Sequence, residues 1–174
     1  MTQVNILALD PGTVDTGWVL WTGERVAYSG VQPNEDVLAM VASWQDAETL
    51  MATEIFQAMG MAVGQEVFDT CIWIGRFVQA WHSPDRVMRI KRTEAKLHLC
   101  NSRRAKDPQV RQALLDTIGM PGTKRQPGPT FGVKSHAWSA LAVAVTAEAK
   151  LGGGLQGTMF DERPREAMEQ AEAF

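Results

Sequence analysis

Residues 6–21 read ILALDPGTVDTGWVLW. Ile6, Leu7, Ala8 and Leu9 leave no polar face, which is the pattern of a strand buried on both sides. The run ends in a single acid, Asp10, followed by Pro11 and Gly12; Gly17 then opens a second apolar run, Trp18 to Trp21. The Pro-Gly pair and the later glycine predict a turn between two antiparallel strands. Asp10 therefore stands at the end of a core strand, beside a turn whose backbone can approach a phosphate or a metal. Two readings are open at this point: a turn cap, a common place for Asp, or a site carboxylate.

The chain has 174 residues, enough for one domain with a substantial core. Its 45% hydrophobic and 21% charged residues are those of a soluble globular protein, and no run approaches a membrane span. Without a basic, apolar leader at the N-terminus, a cytoplasmic protein is expected. Cys71 and Cys100 form no metal pattern and read as reduced packing residues. The net charge of -3 hides an asymmetry. Residues 1–85 carry only Arg25 and Arg76 against eleven acids, whereas residues 86–111 carry nine bases against Glu94 and Asp107. The overall pI of about 5.6 speaks against a generic nucleic-acid binder. The local patch speaks for a polyanion site, with a solvated basic face as the alternative.

Outward from the opening hairpin, residues 25–31 read as a third antiparallel strand and residues 35–44 as a short amphipathic helix. Residues 49–56 (TLMATEIF) read as the next strand, with Glu54 in the middle of an apolar alternation. A buried carboxylate is costly unless something pairs with it. Glu54 is thus an edge acid, the partner of a core arginine, or a metal or catalytic carboxylate. A helix is expected over 65–82, with Val67, Cys71, Ile74, Val78 and Trp81 as its stripe and Trp73 and Phe77 on another side. That wide apolar surface suits packing on the sheet and on a second subunit. A strand at 86–91, a helix capped by Thr93, a basic loop over 100–106 and a helix from Asp107-Pro108 follow. Residues 120–132 read as a mobile loop. The last core helix is expected over 134–150, with His136 and Ser139 on one face near its start. Residues 151–174 read as a flexible acidic tail, with a short helix over 163–172.

Asp10, Glu54 and a polar residue of the last helix can converge at one sheet edge, a plan for a hard divalent cation acting on a phosphodiester. Four segments in order, LALDPGTVDTGW (7–18), ATEIF (52–56), RTEAKLHLCNSRRAKDPQV (92–110) and HAWSALAVAV (136–145), resemble the RuvC-type Holliday junction resolvases of the RNase H-like superfamily. The resemblance covers residues 4–150. It implies an α/β, RNase H-like mixed sheet with three antiparallel strands first and helices on both faces, a nuclease domain over 1–150 and a tail over 151–174.

The same resemblance implies a Mg2+-dependent endonuclease, also served by Mn2+, that acts as a homodimer on Holliday junctions or branched DNA, in recombination and repair. Such a compact resolvase suits a phage, in its host's cytoplasm, as well as a bacterium. Asp10 and Glu54 match the first two catalytic carboxylates, and His136 and Ser139 match the two helix positions that complete the site, with Asp10, Glu54 and His136 as the metal set. The family normally places Asp where this chain has Ser139, which removes a charge from the site. Lys96 and Lys106 match basic positions serving DNA binding or catalysis, and Phe56 falls near an aromatic that stacks on an unpaired base. Lys91, Arg92, Arg103, Arg104, Lys124 and Arg125 add candidate phosphate contacts. Two alternatives stand beside this reading: a non-catalytic junction binder, favoured by Ser139, and a nuclease acting on RNA or RNA–DNA hybrids. An ATPase would need two such domains.

Overall fold

The computed structural model describes residues 4–58, 60 and 62–152; the expected tail from residue 153 onward lies outside them. Its elements are β1 (Ile6–Pro11), β2 (Asp15–Trp21), β3 (Val26–Pro33), α1 (Asn34–Ala42), β4 (Leu50–Ile55), α2 (Gln65–Ala80), β5 (Met88–Lys91), α3 (Arg92–Cys100), α4 (Asp107–Ile118) and α5 (Ala137–Gly152). The sheet order is β3-β2-β1-β4-β5, with β1–β2 and β2–β3 antiparallel and β1–β4 and β4–β5 parallel. The RNase H-like arrangement expected from the sequence is present.

Both faces of β1 are buried, which is why its sequence shows no alternation. Ile6 and Ala8 join a core with α3, α4 and α5. Leu7 and Leu9 join a second core with Val37 and Val41 of α1 and Phe77 of α2. The alanines of α5, Ala137, Ala140, Ala144 and Ala147, are buried and let the helix lie close on β1 and β2. Trp21 Nε1 donates to Glu148 Oε2 at 2.8 Å and ties the far end of α5 to the sheet. Among the described residues no helix is long and apolar enough to cross a membrane.

Several expectations need correction. α2 ends at Ala80, and its inward row is Trp73, Phe77 and the following Trp81, because those large rings fill the space over β1. Cys71 is exposed and does not pack; both cysteines are free. Thr93 does not cap α3: the helix begins at Arg92, the Lys91 N–H donates to Glu94 Oε2 at 2.7 Å, and Thr93 Oγ1 donates to Gln57. Residues 120–132 are fastened, not loose. Gly122 and Pro127 pair as an antiparallel bridge, Gly128 N–H donates to Pro121 O, and Val26 N–H of β3 donates to Pro129 O. α5 starts three residues later than expected and includes Leu151 and Gly152, which the tail was expected to hold.

Asn34, at the start of α1, holds the turn after β1. It is 2% exposed, accepts from Thr16 Oγ1 at 2.6 Å and donates from Nδ2 to Gly12 O at 3.0 Å. Replacing Asn34 by Ala leaves the Thr16 hydroxyl and the Gly12 carbonyl without these partners in a buried place. Asn34→Ala should lower unfolding stability by about 1–3 kcal/mol in urea titrations; a loss under half a kcal/mol would show that the turn does not depend on this side chain.

Candidate active site

Asp10 and Glu54 meet because of register. Leu9 pairs with Thr53 across the parallel β1–β4 ladder, and each acid is the next residue on its strand. Asp10 continues the face of Ile6 and Ala8, and Glu54 the face of Ala52, so both point to the α3–α5 layer. They stand at the carboxyl ends of adjacent parallel strands, where α/β sheets place their sites. The Asp10 side chain is 11% exposed and that of Glu54 is 17% exposed. Burial raises the pKa of Asp10 above the usual carboxylate range, opposed by the charges of Arg92 and His136. Burial and the facing Asp10 carboxylate push Glu54 up to about 7, with Arg92 opposing.

The third side of the site comes from the entrance to α5. Asp10 lies opposite Gly17 on β2. A Cβ on Gly17 would come within 2.5 Å of the His136 carbonyl carbon and 2.6 Å of its oxygen. The second glycine of the opening motif therefore exists to let α5 enter at this depth. His136 precedes the helix, and its carbonyl accepts from the Ser139 and Ala140 N–H groups. Its Nδ1 stands 3.5 Å from Asp10 Oδ2, while the ring is otherwise exposed. Ser139, on the first turn, is placed against the Asp10 carboxylate as well. The four residues expected to form the site, Asp10, Glu54, His136 and Ser139, are thus together.

Arg92 and Asp107 also belong there. Arg92 Nη1 donates to Glu54 Oε1 at 3.3 Å, and its Nη2 donates to Asp107 Oδ1 at 2.7 Å. Lys96 Nζ stands 3.8 Å from the same Asp107 oxygen. Arg92, expected as a phosphate contact, is also the partner that a buried Glu54 requires. These residues, with His136 and Ser139, line a cleft of about 560 Å3. Arg111 reaches the same cleft with its guanidinium 4.8 Å over the Trp138 ring. Asp107 was read from the sequence only as a helix start and Arg111 was not singled out; their spacing of four residues on α4, one helix face, was the available signal. Lys91, Arg103, Arg104, Lys106, Lys124 and Arg125 are exposed and lie outside the cleft lining. Phe56 lies just past the end of β4 and is 46% exposed.

No family model and no curated protein matches the chain. Solved structures do. Thermus thermophilus RuvC superposes with a TM-score of 0.64 at 16% identity, covering 87% of this chain and 97% of that one. The T. thermophilus RuvC bound to a Holliday junction substrate gives the same TM-score and coverage at 15% identity. The fold is RuvC-type. At this identity the likeness to RuvC fixes the architecture, and the chemistry has to be argued from the side chains.

Among the described residues, no three His, Cys, Asp or Glu side chains form a group able to hold a metal ion on their own. The donor chemistry nevertheless fits a hard divalent cation. Burial, and after it the repulsion of the facing Asp10, raises Glu54, and a hard cation takes such carboxylate oxygens and completes its shell with water and phosphate oxygen.

The Glu54 shift has a signed consequence. Between the ordinary value of 4.5 and about 7, the folded protein binds more protons at Glu54 than the unfolded chain does. Stability is therefore greatest below this window and declines as pH rises through it, by on the order of 3 kcal/mol. Urea unfolding at pH 5 and pH 7.5 in chelator should show the decline, and Glu54→Gln should flatten it. An unchanged slope in that variant would assign the effect to another group.

Proposed function

We propose that this chain is a metal-dependent, structure-selective endonuclease that resolves Holliday junctions or other branched DNA by paired nicks. The observation that carries the reading is the pair of buried carboxylates at the ends of β1 and β4, with Glu54 raised to about 7, at the edge of a basic surface. Asp10 and Glu54, with His136, would hold Mg2+ or Mn2+, which supplies Lewis-acid stabilisation of the developing phosphorane charge. His136 Nδ1 faces the Asp10 carboxylate. That contact favours the tautomer with the proton on Nδ1 and leaves Nε2 as an acceptor. Nε2 then serves one of two roles, ligating the cation or taking the proton of an attacking water, with Asp10 orienting the ring in either case. Lys96 and Arg111 hold the scissile phosphate in the cleft. Lys91, Arg103, Arg104 and Lys106 hold the flanking backbone without reading bases, so binding is steeply salt-dependent.

A homodimer supplies two sites for opposing strands. Its contact is assigned to the outer face of α2, where Phe68 and Ile72, four residues apart, are 55% and 61% exposed. A second reading, a junction-binding protein that does not cut, is favoured by Ser139, a neutral group where a third carboxylate would complete the donor set.

The deciding experiment is cleavage of a labelled four-way junction with Mg2+ and, separately, Mn2+, beside Asp10→Asn. Paired nicks that vanish in the variant, with a loss of at least about a thousandfold, support the nuclease. Tight junction binding without nicks in either metal supports the binder. No preference for the junction over duplex removes both. In the same protein Ile72→Lys should yield monomers by sedimentation that bind a junction less tightly; a dimer that survives the charge places the contact elsewhere.

A further inference from the structure

A second groove, of about 740 Å3, lies between the β3 edge and the segment that precedes α5. Gly30 and Val31 form one wall, Pro121 and Gly122 another, and Phe131 and Lys134 the third. Ser135 lines this groove and also the catalytic cleft, so the two adjoin at that residue. Ser135 adopts φ 45°, a left-handed conformation that is uncommon outside glycine and costs energy to hold. It sits one residue before His136. The chain is thus bent sharply at the point where the groove adjoins the site.

The groove is built, not incidental. Ser29 Oγ donates to Gly132 O at 3.2 Å, Thr130 Oγ1 donates to Gly119 O at 2.9 Å, and Thr123 and Gln126 exchange backbone hydrogen bonds at 3.0 and 3.1 Å. Those bonds make a short hairpin whose tip is Lys124-Arg125. Gly128 has no room for a side chain: a Cβ there would lie 2.0 Å from Met120 O. Phe131 remains 41% exposed in the groove wall. Between Asp116 and Glu148 the chain contains no acid, but it contains Lys124, Arg125 and Lys134.

We infer that this groove carries the DNA strand that continues from the scissile phosphate, as an unpaired strand, with one base stacked on Phe131 and its backbone held by Lys134 and the Lys124-Arg125 tip. An exposed aromatic beside cations with no acid in the wall is the chemistry of a single-strand track. The inference rests on the nuclease reading for its direction, since the groove adjoins the catalytic cleft at Ser135.

The test uses the full chain carrying Asp10→Asn, so that DNA is held without being cut. A junction with 5-iododeoxyuridine at successive positions beside the scissile phosphate is irradiated, and the crosslinked peptide is identified. Anisotropy of a labelled oligothymidine is measured over a salt series. The expected crosslink maps to Phe131. Phe131→Leu should remove it and weaken oligothymidine binding by roughly tenfold, while Phe131→Tyr restores both. Lys134→Gln should lower the slope of log affinity against log salt by about one. Thermal melts of each variant report whether it is folded. If junction binding persists while Phe131→Leu and Lys134→Gln change nothing, the groove assignment is wrong and the nuclease reading stands. If Phe131 crosslinks only to paired arms, the groove holds duplex and the single-strand proposal fails. If the Asp10→Asn protein binds no branched DNA, both fall.

Discussion

Two carboxylates forced together in a place with little water are the constraint on which this molecule turns. The parallel register of β1 and β4 sets Asp10 beside Glu54, and the layer of α3 and α5 above them removes solvent. Left alone, the pair would cost more than a small domain can sustain. The fold answers with Arg92, which stands at the first residue of α3 so that its guanidinium reaches Glu54 and Asp107 together. The offset is incomplete: Glu54 is still raised to about 7. A site with residual negative strain is one that gains from binding a cation, and a stability cost at a functional centre is the usual signature of such a site.

Holding that geometry is a packing problem. His136 can stand 3.5 Å from Asp10 only because α5 enters where β2 carries no side chain, at Gly17. The helix stays close because its inward residues are alanines, and it keeps its tilt because Trp21 holds Glu148 at the far end. Asn34 does the same for the turn after Asp10, bridging Thr16 and Gly12. Gly17, Trp21 and Asn34 do not line the cleft, yet each fixes a backbone that Asp10 or His136 hangs from. Sites placed on strands and helices with such support keep their distances.

How legible this was depended on whether the signal was local. Asp10 and Glu54 stood out because an acid interrupts an apolar strand, and that interruption is visible within five residues. The three opening strands were legible from turn chemistry. Arg92 and Asp107 were not paired in advance, because they lie fifteen residues apart on different helices and their meeting is fixed by how α3 and α4 pack. The inward row of α2 was misjudged because apolar residues ring much of that helix, so periodicity alone could not choose its phase; the size of Trp73 and Phe77 chose it. The segment 120–132 looked loose from its prolines and glycines. Those same residues make the tight bridge at Gly122 and Pro127 possible.

Ser139 is best understood through the charge of the whole cleft. Three carboxylates, Asp10, Glu54 and Asp107, face three cations, Arg92, Lys96 and Arg111. With every one of them ionised and His136 left aside, the charges balance. An acid at 139 would add a negative charge, crowding another carboxylate onto an Asp10 whose pKa burial already raises. Asp107 does not replace that acid as a donor, since it is turned toward Arg92 and Lys96. What it does is hold two cations at the cleft mouth, where a phosphodiester would have to pass. The missing charge at the centre and the acid at the rim therefore have separate effects. The first lowers the negative charge that a cation would meet, and the second holds Arg92 and Lys96 at the rim. A hard cation bound beside so few protein carboxylates would complete its shell with water and with the oxygens of whatever phosphate it met.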